Sequence, residues 1–271
     1  MKKRIGILAE KLNHSLSPII HNHWDKKYKT NFTYKKYEVK KDQLDKFFSD
    51  YRRNNIISGF NITIPYKEAC LAHCDKISPS AKKIGSVNLI YKKSKNIIFG
   101  DNTDVIGFAK CYNGLKIDKP KSVLVIGAGG AARAILYFLN KKNIENIDIF
   151  APSLKRKSGL ELSFKFKNFV NKTTKLKKKY ELIINASSAG MVGMPKLNRN
   201  ILNLVSSSKS VIDIIYNPII TDLLKRAIVE NKKNIGGLKM LIEQAKPSFE
   251  KWTGKKITID KELYKIIEQY I

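Results

Sequence analysis

The sequence predicts a two-domain α/β protein, with an N-terminal open α/β domain followed by a domain built on a parallel sheet. Three observations predict it. The first is Val123-Leu-Val-Ile-Gly-Ala-Gly-Gly-Ala-Ala-Arg-Ala134, a β-branched strand that ends in a glycine turn and passes into an Ala-rich helical pattern. The second is an alternation of elements: strands at Val123–Ile126, Ile147–Phe150, Leu182–Asn185 and Val211–Tyr216 are interleaved with helices that include Ala131–Lys141 and Thr221–Val229. Such alternation argues for parallel strands with helices on both faces. The third is address. More than a hundred residues precede the glycine turn, and 271 residues suffice for two modest domains.

The elements of the first part read in order. Arg4 to Leu8 is an apolar strand, and Pro18 pre-sets a helix start after a loop holding Ser15 and Ser17. Thr33 to Val39 alternates as a strand, and Lys41 to Arg53 reads as an exposed helix. Ile56 to Ile64 is a second apolar strand stopped by Pro65, with a short helix at Tyr66–Cys74 behind it. Ser86–Tyr91 and Ile97–Phe99 read as a hairpin, and Gly100-Asp-Asn-Thr-Asp104 turns into a helix from Val105. Gly114 to Lys121 reads as a linker, Lys165 to Lys179 as a solvated surface. In the last long segment, Leu238 to Trp252, one helical face carries Leu241, Ala245, Phe249 and Trp252.

The glycine turn has the G-x-G-x-x-A form of a Rossmann-type dinucleotide site, ending at Ala132. Gly127 permits the turn, Gly129 lets backbone approach a pyrophosphate, and Ala132 lets helix pack close to strand. The N–H groups at the helix start suit an anion. A glycine turn serving packing alone is the plain alternative.

Composition narrows the classes. Hydrophobic content of 43% and aromatic content of 10% are globular values. The net charge of +29 raises nucleic acid as a partner, but the charge is mostly Lys and lies in nearly every surface-like segment rather than on one stripe. Nucleic-acid binding is therefore not expected. The apolar run after the basic start is too short for a signal-peptide core, and no segment is long and apolar enough to span a bilayer. Cys70, Cys74 and Cys111 offer no disulfide framework, and His73 with Cys70 and Cys74 lacks a second pair of metal ligands. The expectation is a cytoplasmic protein without a metal.

Three polar clusters end predicted elements in the first half. Ser15 and Ser17 can donate to a carboxylate, with helix capping as the alternative. Asn61 and Thr63 alternate on one strand face, and Lys67 comes next at an expected helix start, where the dipole disfavours its charged form and suits proton transfer. Asn102, Thr103 and Asp104 open the next helix. A Lys67–Asp104 pair would orient a substrate hydroxyl and shuttle its proton, as a carbonyl/alcohol redox step requires. A surface lysine and a capping aspartate are the bland readings.

Taken together, these motifs make a resemblance. The chain resembles the shikimate dehydrogenase family in ordered blocks: His14-Ser-Leu-Ser-Pro18, Asn61-Ile-Thr-Ile-Pro-Tyr-Lys67, Gly85-Ser-Val-Asn88, Gly100-Asp-Asn-Thr-Asp104 and the glycine loop. Asn185-Ala-Ser-Ser-Ala-Gly-Met191, Asp213-Ile-Ile-Tyr-Asn-Pro218 with Thr221, and Gly237-Leu-Lys-Met-Leu241 through Gln244 to Gly254 complete the set. The resemblance implies NADPH-dependent reduction of 3-dehydroshikimate to shikimate in aromatic amino-acid biosynthesis. By the same resemblance Lys67 is the acid/base and Asp104 the orienting partner. Ser15 and Ser17, with Tyr216, match groups that hold the substrate carboxylate, and Thr63, Asn88 and Gln244 match readers of the ring hydroxyls. Gly127, Ala128, Gly129, Gly130 and Ala131 take the pyrophosphate, and Ile214 and Gly237 match positions beside the nicotinamide.

The chain departs from the family pattern twice. After the second cofactor-domain strand it reads Ala151-Pro-Ser-Leu-Lys-Arg156, so Arg156 alone stands where the family has its basic cluster, flanked by Lys155 and Lys157. No carboxylate ends that strand to hold ribose hydroxyls, and Asp148 lies inside it, which favours NADP. Pro247 falls inside the C-terminal helix, three residues past Gln244, and is expected to kink or end a turn. The expected domains are 1–107 completed by 238–271, for substrate, and 108–237, for NADP, with ligands in the cleft between them. Alternatives are a quinate/shikimate dehydrogenase using NAD, or a non-catalytic dehydrogenase-like binding protein; a monomer or homodimer is expected.

Overall fold

The computed structural model describes residues 2–12, 15–94 and 97–271, so His14 of the first motif lies outside the described residues. The chain divides into two compact units, Met1–Thr103 with Ile242–Tyr270, and Asp104–Leu241 with Ile271. These units divide at 103/104 and 241/242, a few residues from the expected 107/108 and 237/238.

In the first unit, β1 (Lys3–Ala9), α1 (Ser17–Tyr28), β2 (Phe32–Glu38), α2 (Leu44–Arg53) and β3 (Ile57–Ile62) precede β4 (Lys76–Ile77), α3 (Pro79–Ile84), β5 (Leu89–Ser94) and β6 (Ile97–Asp101). The strands form one sheet in the order β2-β1-β3-β5-β6-β4. β1 is parallel to both neighbours, whereas β5 runs antiparallel to β3 and β6. α2 is not an exposed helix: it turns Leu44, Phe48 and Tyr51 into a core shared with Phe60, Ile62 and Tyr66. Behind Pro65 only a 3-10 turn forms, Ala69–His73, where an α-helix was expected from Tyr66. The chain first closes a turn in which the Tyr66 N–H donates to the Thr63 carbonyl across a cis Pro65, and Tyr66 is then buried with its hydroxyl on the Val39 carbonyl.

The second unit contains α4 (Asp104–Gly114), β7 (Val123–Ile126), α5 (Gly130–Lys141), β8 (Ile147–Phe150), α6 (Lys157–Glu161), β9 (Asn168–Val170), β10 (Leu182–Asn185), α7 (Arg199–Asn203), β11 (Ser210–Asp213), α8 (Asp222–Val229) and β12 (Lys233–Ile235). All strand pairs are parallel, in the order β12-β11-β10-β7-β8-β9. Val123 and Val125 face one apolar layer with Ile135 and Leu139 of α5, while Leu124 and Ile126 face another with Leu223 and Leu224 of α8. Burial of both faces explains why these strands read as continuous apolar runs. The predicted linker lies inside this unit, with Leu115 and Pro120 buried. The Lys-rich stretch is not all solvated surface, because β9 forms the sheet edge there and Val170 is buried. β11 ends at Asp213, which frees Ile214–Tyr216 as a loop.

α9 (Gly237–Thr253) begins in the second unit and continues into the first, and α10 (Lys261–Glu268) ends the chain. Pro247 does not end α9, contrary to expectation. Pro247 and Glu243, whose carbonyl loses its partner, are both half-exposed, so water can take that carbonyl, while Ala245, Phe249 and Trp252 stay buried.

Candidate active site

The first unit holds a buried polar cluster where α9 lies on β3 and β5. Gly59 makes room for it: a Cβ there would stand 2.3 Å from Trp252 Nε1, which instead donates to the Ile90 carbonyl at 3.0 Å. Two residues along β3, on the same strand face, comes Asn61, which is 5% exposed. Its Oδ1 accepts from the Tyr34 hydroxyl at 2.8 Å, and its Nδ2 donates to the Asn88 carbonyl at 3.2 Å and to Ser248 Oγ at 3.1 Å. Asn88 Oδ1 in turn accepts the Thr103 N–H at 2.7 Å and the Thr103 hydroxyl at 3.1 Å, while Asn88 Nδ2 donates to Gln244 Oε1 at 3.3 Å. Thr103 Oγ1 lies 3.3 Å from both Gln244 Oε1 and Ser248 Oγ. Thus Asn88 and Gln244, 156 residues apart in sequence, meet directly. Gln244 is buried and bonded in spite of Pro247.

Beneath the cluster, His21 stacks on Tyr34 with centroids 4.3 Å apart. Burial pushes its pKa down to about 3, opposed in part by the Asn61 side chain, so the imidazole is neutral. Ser17, at the start of α1, is 5% exposed and takes part in the hydrogen bonding of the Tyr34 hydroxyl. Ser15 is half-buried and its Oγ accepts the Ser17 N–H at 3.4 Å, while Leu16, the residue at the N-cap, provides no side-chain cap.

Lys67 and Thr63 belong to the turn around Pro65, both half-buried. Thr63 is tied to β1 through its N–H on the Leu8 carbonyl, and the Lys67 carbonyl accepts the Val87 N–H at 2.8 Å, one residue before Asn88. Lys67 is not at an α-helix start, so the dipole argument for its acidity does not hold; the 3-10 turn begins two residues later. Asp104 is the first residue of α4, 4% exposed, and directly follows Thr103.

In the second unit, the strand register aligns Ile126, Phe150, Asn185 and Asp213 in one row at the carboxyl end of the sheet. The loops leaving that row carry the predicted cofactor residues. Gly127 has φ of +107°, and a Cβ would stand 2.8 Å from the Ala186 carbonyl oxygen, so both conformation and space demand glycine. At Gly129 an added Cβ would meet nothing within 4 Å. Ala128 is buried and Gly130 and Ala131 open α5, whose first N–H groups point out of the same end. Gly237 abuts Ile214: a Cβ would stand 2.1 Å from the Ile214 carbonyl oxygen, and the Gly237 N–H donates to the Ile215 carbonyl at 3.1 Å. Arg156 is exposed in the turn after β8, beside exposed Lys155, whereas the Lys157 ammonium pairs with Glu161 at 3.5 Å. Tyr216 is half-buried in the loop after β11, where burial raises its hydroxyl pKa.

Known proteins resemble this chain in sequence and in fold. A family model described as the shikimate dehydrogenase substrate binding domain matches residues 7–90. A Clostridium beijerinckii protein named shikimate dehydrogenase (NADP(+)) is 38% identical, over 91% of this chain and 90% of the relative. Its counterpart of the same name in Bacillus subtilis is 35% identical over 96% and 95%. The chain belongs to the shikimate dehydrogenase family. The crystal structure of the shikimate 5-dehydrogenase of Thermus thermophilus, in complex with NADP(H) and shikimate, matches the fold with a TM-score of 0.83 at 28% identity, covering 99% of this chain and 100% of that one.

Within this family member, the structure gives several buried groups a role that the sequence alone does not. Asp213 is fully buried and accepts from Thr221 Oγ1 at 2.7 Å, the Ile215 N–H at 3.0 Å and Asn185 Nδ2 at 3.2 Å, which holds the loop bearing Ile214 and Tyr216. Ser248 is fully buried one helical turn after Gln244, and the two make an i,i+4 polar pair of which the sequence reading names only Gln244. Asp148 is committed to Tyr180, Asn168 and Lys177, so the end of β8 keeps no carboxylate for a ribose. The three cysteines are free thiols; burial pushes Cys74 up to about 12 and Cys70 higher still, which disfavours thiolate ligation beside His73, itself stacked on Phe48.

Proposed function

We propose that this chain is an NADP-dependent shikimate dehydrogenase, which catalyses the reversible reduction of 3-dehydroshikimate to shikimate in aromatic amino-acid biosynthesis. The observation that carries the reading is the convergence of Asn88, Thr103 and Gln244 in one buried cluster, in the unit that also carries Lys67, Ser15 and Ser17. A polyhydroxylated ring needs such a set of fixed amides and hydroxyls, since each substrate hydroxyl left unpaired costs binding.

The second unit fits NADP. Open space at Gly129, the α5 N-terminus and the exposed Arg156 and Lys155 suit the pyrophosphate and 2′-phosphate, and Asp148 is occupied elsewhere. NADPH, when bound, supplies the hydride. Lys67 gives a proton to the carbonyl oxygen as it becomes an alkoxide, and in the reverse direction takes it back from the hydroxyl. Asp104 accepts from a substrate hydroxyl and orients it. Ser15, Ser17 and Tyr216 donate to the carboxylate, and Thr63, Asn88 and Gln244 read the ring hydroxyls. Ile214 and Gly237 flank the nicotinamide end. In this reading residues 1–107 with 238–271 form the substrate domain and 108–237 the cofactor domain, and the enzyme works in the cytoplasm as a monomer or homodimer on small-molecule substrates. Among the described residues no helix is long and apolar enough to cross a membrane.

Steady-state kinetics with shikimate or quinate against NADP or NAD test the reading. Shikimate with NADP should give the highest kcat/KM; a preference for quinate with NAD would replace it by the broader quinate/shikimate activity.

A further inference from the structure

The buried cluster of the first unit contains three side-chain amides, and its hydrogen bonds determine which way each one faces. The Asn88 backbone carbonyl can only accept, so the group of Asn61 that lies 3.2 Å from it is Nδ2, and Asn61 Oδ1 faces the Tyr34 hydroxyl. The second proton of Asn61 Nδ2 goes to Ser248 Oγ. The Ser248 proton then goes to an acceptor, either the Gln244 carbonyl or Thr103 Oγ1, each at 3.3 Å.

From the other side, the Thr103 backbone N–H can only donate. The Asn88 atom 2.7 Å from it is therefore Oδ1, and Asn88 Nδ2 faces Gln244. Gln244 must answer a donor with its oxygen, and the single proton of the Thr103 hydroxyl is shared between Gln244 Oε1 at 3.3 Å and Asn88 Oδ1 at 3.1 Å, which already accepts the Thr103 N–H. One backbone carbonyl and one backbone N–H thus order the whole chain of amides, with two buried hydroxyls completing it.

We infer that Thr103 and Ser248 are positioning residues that hold Gln244 with its amide oxygen inward, so that Gln244 meets the substrate as a hydrogen-bond donor, through Nε2. This rests on the reading of Asn88 and Gln244 as substrate-binding residues. Ser248 fixes the helix turn on which Gln244 rides, and Thr103 fixes the head group. The polarity matters because a hydroxyl-reading amide presented the wrong way round places an acceptor where a donor is needed.

A double-mutant cycle tests it, with purified full-length variants assayed for kcat and for KM of shikimate and NADP, and melted to compare stability. Thr103→Val keeps the backbone N–H and the shape but removes the hydroxyl. It should raise the shikimate KM by about 10-fold with the NADP KM changed less than about 2-fold, and Thr103→Ser should restore it. Gln244→Leu should raise the shikimate KM by at least as much, and adding Thr103→Val to it should cost little more, since there is no amide left to orient. Ser248→Ala provides a second route, with the same expected split between the two KM values. If Gln244→Leu leaves the shikimate KM unchanged, the substrate-site reading itself falls. If Gln244→Leu raises it but Thr103→Val and Ser248→Ala lower only the melting temperature, or act additively with Gln244→Leu, the two hydroxyls are structural and the positioning role is overturned.

Discussion

Lys67 shows how function at the residue scale can rest on position rather than on a helix field. Its backbone carbonyl accepts the Val87 N–H, one residue from Asn88, so the turn that bears Lys67 is tied to the segment that bears the amide cluster. Lys67→Ala should therefore fold like the parent and bind shikimate only modestly worse, but lose on the order of 10²–10⁴ in kcat, the range for a positioned proton donor. Wild-type-like turnover would remove it from the mechanism. His21 makes a different prediction. Its pKa is held down to about 3 by burial, against 6.5 unperturbed, so below pH 6.5 the unfolded chain binds a proton that the folded one does not. The native state is favoured fully above pH 6.5 and loses about 1.4 kcal/mol for each unit as the pH falls from there toward 3. Urea titrations at pH 7, 5.5 and 4.5 should show this loss, and His21→Phe, which keeps the ring stack on Tyr34, should reduce the slope by up to about one proton. An unchanged slope would mean that other groups govern acid stability.

At the scale of elements, the glycine loop separates a structural glycine from a ligand-facing one. Gly127 sits at positive φ against the Ala186 backbone, so Gly127→Ala should destabilise the protein by roughly 1–3 kcal/mol or more, read by urea denaturation. Gly129 has ordinary negative φ and open space around its missing Cβ. Gly129→Val should leave stability within about 0.5 kcal/mol yet raise the NADP KM by about 10-fold or more, because the added methyl groups occupy the room a pyrophosphate needs. A Gly129→Val enzyme with normal NADP KM would send the cofactor elsewhere. These elements were legible because the strand Val123–Ile126 is buried on both faces and its glycines have few other uses. The short edge strands β9 and β12 were not, since three residues of mixed polarity at a sheet edge leave no periodic signal. The segment after Pro65 reads as an α-helix because its local pattern fits both, and burial of Tyr66 favours the 3-10 turn. Pro247 misled in the opposite direction: burial of Ala245, Phe249 and Trp252 outweighs the roughly 3 kcal/mol a helical proline costs. In the buried cluster, Asn88, Thr103 and Gln244 come from blocks far apart in the sequence that the fold brings together, and Asp213 opens a block of its own without a role legible there. Ser248 carries no signal of its own, because its role depends on partners as distant in the chain as Asn61 and Thr103.

For the whole molecule, the charge of +29 is the one compositional extreme, and its consequence is kinetic. The positive groups lie in nearly every segment of the chain, and some are paired with acidic neighbours, as Lys165 is with Glu145 and Lys209 with Glu181. Such pairs add little stability, but a net positive field remains beyond them. Both ligands of the proposed reaction are anionic: NADP carries its phosphates and shikimate its carboxylate. A field of this sign raises the encounter rate of each and is screened as the Debye length shrinks from about 30 Å at 0.01 M salt to about 8 Å at 0.15 M. The step after binding depends far less on the same salt, because the ligands are already in place and the amide cluster is buried. It follows that kcat/KM for NADP should fall on the order of 10-fold between roughly 0.01 M and 0.3 M NaCl while kcat stays nearly constant, with the more highly charged cofactor more sensitive than shikimate. Steady-state titrations of each ligand over that range check this. A salt-independent kcat/KM would mean that the lysines are electrostatically idle, and a kcat that fell in step with kcat/KM would mean that salt acts on the chemistry rather than on the encounter.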